Sequence, residues 1–112
     1  MGSRTIAWLA ALAAAAATAV ALPALALGGA HAASTHTVTI RNFAFHPATL
    51  NINHGDSVRW LWRDEAEHNV SFHSFHSHTQ EHGSYTVRFA HRGTFKYRCT
   101  IHPEMRAKVV VH

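Results

Sequence analysis

The segment Tyr97-Arg98-Cys99-Thr100-Ile101-His102-Pro103-Glu104-Met105 constrains this chain more than any other. It holds the only cysteine of the 112 residues, a histidine three positions on and a methionine three further. Pro103 interrupts any helix there, and strand-like residues flank the segment on both sides. The segment therefore reads as a tight loop between two strands. Such a loop offers a thiolate, an imidazole and a thioether to one point. One further histidine from elsewhere completes two His, one Cys and one weak axial Met, the ligand set of a type 1 copper electron-transfer site. The bland alternative is a buried Cys, a surface His and a core Met that merely share a hairpin.

Residues 1–32 read as a leader. Arg4 is a short positive region, Ile6 to Leu27 is an uncharged run rich in Ala and Leu, and Ala30-His31-Ala32 is a small-x-small cleavage signal. The mature chain is expected to begin at Ala33. One arginine ahead of the run does not make a twin-arginine signal, and no cysteine follows the run to take a lipid. The run is long enough to span a bilayer, so an uncleaved anchor is the alternative. The expected location is periplasmic or extracellular.

What remains, residues 33–112, suits one small domain, which buries about 60–65% of its extended surface. Its net charge is mild, nine Lys and Arg against six Asp and Glu. The cations are scattered through expected strands, which argues against a nucleic-acid patch. A lone cysteine in an exported chain forms no internal disulfide and survives as a thiol only if buried or held by a metal. Export thus strengthens the case for Cys99 as a ligand, as do the twelve histidines of the chain.

From Thr37 onward the pattern has period two. Thr37–Arg41, Ala48–Asn53, Ser57–Arg63, Ser84–Phe89, Thr94–Cys99 and Ala107–Val111 alternate as half-buried strands do. A short segment lies at Asn42–Pro47, where Pro47 prevents a long central strand. His68–Phe72 is expected as a further strand, and Phe72–Gly83 as a long polar loop. Val58, Trp60 and Trp62 share one face, expected in the core. Seven or eight short strands with turns about every ten residues and no helical period predict an all-β fold, a small antiparallel Greek-key sandwich.

Three ordered motifs carry a resemblance. Gly93 to Val111 closely resembles the C-terminal end of amicyanin-type cupredoxins. His54-Gly55-Asp56-Ser57-Val58-Arg59-Trp60 is similar to that family's G-D-x-V-x-W strand, and Glu67-His68-Asn69-Val70 to the segment supplying its first histidine ligand. The resemblance implies one copper ion held by His68, Cys99, His102 and Met105, with Asn69 tying the two ligand loops together. It also implies a monomeric electron carrier that docks redox partner proteins near His102, without stable membrane insertion. Two departures bear on the port. Glu104 stands where the family has a bulky apolar residue, and Ile101 replaces a proline. A carboxylate there is expected to favour the oxidised ion, lower the potential and make the docking face more polar.

His73, His76, His78 and His82 fall in one loop. Read functionally, they are a looser second metal site, and the protein a copper carrier or chaperone on the same fold. Read plainly, they are a solvated polar loop, since spacings of three, two and four fix no geometry. His36, His46, His54, His91 and His112 are expected to face solvent. No nucleophile-elbow pattern accompanies Ser71, Ser74 or Ser77, and no enzyme activity is expected.

Overall fold

Alternation fixes which side chains turn inward, and the strands follow it closely. The computed structural model describes residues 31–112. The expected leader lies outside the described residues apart from His31 and Ala32. The unit Ala33–His112 carries seven strands: β1 (Thr35–Arg41), β2 (Ala44–His46), β3 (Thr49–Ile52), β4 (Ser57–Trp62), β5 (Gly83–Arg88), β6 (Gly93–Arg98) and β7 (Arg106–Val111). They form two sheets, ordered β2-β1-β4-β5 and β3-β7-β6. No helix among the described residues is long and apolar enough to cross a membrane.

The expected sandwich is present, but its sheets are mixed. β1 runs parallel to β4 with Val38 opposite Trp60, and β3 runs parallel to β7 with Leu50 opposite Val109. The reason is connectivity. β3 leaves for the other sheet, so β4 returns beside β1 in the same direction, and alternation alone does not encode that crossover. The expected strand at His68–Phe72 is also not regular. His68 bridges Gln80, and Ser71 bridges both His76 and Arg98, as isolated pairs.

Trp60 is fully buried, and Trp62 and Val58 lie beside it in the core. The Trp60 ring packs against Phe72 and Tyr97 at centroid distances of 5.8 and 5.4 Å. Burial pushes the Tyr97 phenol far above its ordinary range, so it stays neutral. Each buried tryptophan removes an area worth at most about 4–6 kcal/mol.

The end of β4 away from the Cys99 loop is pinned by one carboxylate. Gly55 takes a φ of +95° to turn the chain, which glycine does without a Cβ penalty. Asp56, 1% exposed, accepts from the Ser34 N–H at 3.0 Å, the Asn53 N–H at 3.1 Å and His36 Nε2 at 2.9 Å. His36, expected in solvent, is half-buried by this contact. Asp56→Ala strands these donors, each costing about 1–3 kcal/mol when buried and unsatisfied. Urea unfolding of Asp56→Ala should show a loss of about 2–4 kcal/mol, and a loss under about 0.5 kcal/mol, the size of an ordinary surface change, would contradict this role.

Candidate metal centre

The segments that follow β4 and β6 meet at the opposite edge of the sandwich. Beyond β4, the Trp62 indole N–H donates to the His68 carbonyl at 3.0 Å, and His68 exchanges two backbone bonds of 3.0 Å with Gln80. These hold His68 fully buried. Beyond β6, the Cys99 N–H donates to the Met105 carbonyl at 3.1 Å and the Met105 N–H to the His102 carbonyl at 2.8 Å. The loop is therefore closed on itself, with Cys99 and Met105 buried and His102 half-buried. Ser71 and Arg98 staple the two segments through bonds of 2.8 and 3.1 Å.

The donor atoms converge. His68 Nδ1 lies 3.2 Å from His102 Nδ1, and Cys99 Sγ lies 3.6 Å from His102 Nδ1. All three fall within 4.8 Å of one another, as the only such group among the described residues. His68 Nε2 contacts the Asp64 carboxylate at 2.8 and 3.0 Å. A carboxylate accepts, so Nε2 carries the proton and Nδ1 presents a lone pair inward. That lone pair faces a second imidazole nitrogen and a sulfur. Bonds of about 2.0 Å to nitrogen and about 2.3 Å to sulfur would span the two separations from His102 Nδ1, 3.2 Å to His68 and 3.6 Å to Cys99. The soft thiolate with two imidazoles suits copper.

Asn69 ties the two loops. Its side-chain amide donates to Thr79 Oγ1 at 2.8 Å and Thr100 Oγ1 at 2.7 Å, and its carbonyl accepts from the Thr100 N–H at 2.9 Å. Its backbone N–H donates to Cys99 Sγ at 3.4 Å.

Two residues escaped the sequence reading. Asp64 precedes His68 by four positions and was legible only as part of an acidic loop. Burial pushes its carboxyl up, but the Ala66 N–H, the His68 ring and the Phe43 N–H outweigh that and hold it below 3.8. Phe43 sits in the two-residue turn joining β1 to β2, where Asn42 and Phe43 take φ of +52° and +55°. Such turns favour Asn-Gly, so a phenylalanine there is strained by about 1 kcal/mol or more. Its ring, 49% exposed, stands edge-on to His68 and His102 at 5.4 and 5.0 Å. Nothing in the sequence pattern brings residue 43 to the site.

The other histidines do not assemble. His73, His76, His78 and His82 are exposed, and His76 Nδ1 is taken up by the Ser77 carbonyl at 2.9 Å.

Comparison with known proteins agrees with this geometry. A family model described as a cupredoxin-like domain matches residues 4–111. Amicyanin of Paracoccus denitrificans is 33% identical over 82 residues, covering 66% of this chain and 63% of that protein, slightly under two thirds of its length. Amicyanin-alpha of Methylorubrum extorquens is 36% identical over 121 aligned positions, covering 96% of this chain and 98% of its own. Among solved structures, the Cu(I) form of an amicyanin variant superposes with a TM-score of 0.66 at 33% identity, over 75% of this chain and 86% of that one.

The Asp64 contacts make a prediction. A carboxyl held below 3.8 adds stability above that pH and loses it as pH falls through the lowered value. Between about pH 5 and 3, wild type should lose more urea resistance than Asp64→Asn. Identical pH dependence would show that Asp64 contributes nothing.

Proposed function

Because the chain belongs to the cupredoxin-like family, we propose that it is an exported carrier of single electrons built on one type 1 copper ion. The observation that carries this reading is the buried convergence of His68 Nδ1, Cys99 Sγ and His102 Nδ1 within 4.8 Å. In this reading those three atoms would be the strong ligands of the ion, with the Met105 thioether as a weaker fourth donor. When bound, copper supplies a one-electron couple between its two common oxidation states.

The chain's own residues do the rest. Asp64 keeps the proton on His68 Nε2, so Nδ1 stays a donor in both redox states. Asn69 locks the His68 and Cys99 segments together. The closed 99–105 loop fixes His102 and Met105, so little rearrangement accompanies a change of charge. Phe43 and Ile101, the exposed large apolar residues among those described, flank His102 as a partly apolar rim from which electrons enter and leave. No group in this arrangement performs bond chemistry on a substrate. The dispersal of His73, His76, His78 and His82 leaves the copper-carrier alternative without a supporting observation.

The test uses purified residues 33–112. Added Cu(II) should produce an intense blue colour at one ion per chain, with reversible reduction. Cys99→Ser should lose the colour while remaining folded. Glu104→Gln should keep it and raise the potential, because a nearby negative charge favours the oxidised ion. A colourless wild type, or blue Cys99→Ser, would overturn the reading.

A further inference from the structure

The outer face of the sheet β3-β7-β6 carries a charge pattern that electron relay through His102 leaves unused. Alternation turns Lys96 and Arg98 of β6 outward with Arg106 and Lys108 of β7, and all four are exposed. The register sets Lys96 directly opposite Lys108 and Arg98 directly opposite Arg106. Like charges facing each other across a strand pair destabilise it. No carboxylate lies in any strand of this sheet, and among the described residues none of the four cations is in an ion pair. The acids lie elsewhere: Asp64, Glu65 and Glu67 after β4, Glu81 before β5, Glu104 in the β6–β7 loop, and Asp56 buried.

The position of the patch gives it a use. Arg98 and Arg106 adjoin Cys99 and Met105, the two ends of the metal loop. Beside them lies a groove of about 500 Å³, lined by Lys96, Arg98 and Arg106 together with His73, Phe72 and Tyr97. We propose that this face receives an acidic redox protein, whose carboxylates meet the two opposed cation pairs and bring its redox centre against the Cys99–Met105 loop. The inference rests on the copper-relay reading for its purpose, though the binding itself does not. Charge of one sign on one face steers encounter and sets orientation. A nucleic acid fits less well, because Arg41, Arg59 and Arg88 lie in strands of the other sheet and extend no track for a phosphate backbone.

The experiment titrates the reduced protein with poly-L-glutamate and follows backbone amide shifts by NMR. Shifts should centre on residues 94–98 and 106–110 and fade at high salt. Lys96→Glu converts one opposed pair into an ion pair and should weaken binding roughly tenfold. It should also slow oxidation of the copper-loaded protein by hexacyanoferrate(III), an anion, and speed oxidation by tris(phenanthroline)cobalt(III), a cation. Each reaction passes one electron from copper to the complex. Arg59→Glu makes the same change in net charge on the other sheet and should alter none of these. Equal effects of the two variants, shifts centred elsewhere, or tighter binding of duplex DNA than of polyglutamate would overturn the proposal. Should wild type never turn blue while polyglutamate still binds this face, the relay reading fails and the docking surface stands.

Discussion

Two imidazole nitrogens and a sulfur facing one another inside a protein are an arrangement that the rest of the structure must hold. His68 Nδ1 and His102 Nδ1 approach to 3.2 Å with Cys99 Sγ beside them, and the His68 tautomer set by Asp64 denies that pair a proton from His68. Buried polar atoms are ordinarily satisfied by hydrogen bonds. In the proposed reading a metal ion would complete the arrangement, and hydrogen bonds from the surrounding structure hold its donor atoms in place. The Trp62 indole, the Gln80 backbone, the Asn69 amide and the Ser71–Arg98 staple each fix one side.

Rigidity at this end is matched at the other. The Asp56 carboxylate gathers the N-terminal strand, the turn before β4 and His36, while the aromatic cluster around Trp60 and Tyr97 fills the middle. β4 and β6 therefore deliver His68 and Cys99 from a packed interior. Electron carriers need little rearrangement between charge states, and a site supported on strands by hydrogen-bonded loops meets that need better than one on free loops.

Much of this was legible in the residues. The Cys99, His102 and Met105 spacing located one loop, and alternation located most strands. His68 and Asn69 came through resemblance, since no local rule joins residue 68 to residue 99. What the sequence hid was long-range. Strand direction failed to appear because period two is the same in parallel and antiparallel pairs. The His68–Phe72 segment reads as a strand yet binds Gln80, His76 and Arg98 only as isolated bridges. Phe43 reaches the imidazoles through a turn conformation disfavoured for its residue type, and His36 found a buried partner in place of solvent.

The most direct test is the identity of the atoms that surround copper once it is bound. X-ray absorption at the copper edge of the loaded protein reads the nearest atoms without relying on colour or activity. One short sulfur contact and two imidazole nitrogens are the expected result. A shell of nitrogen and oxygen alone, with no sulfur, would contradict it.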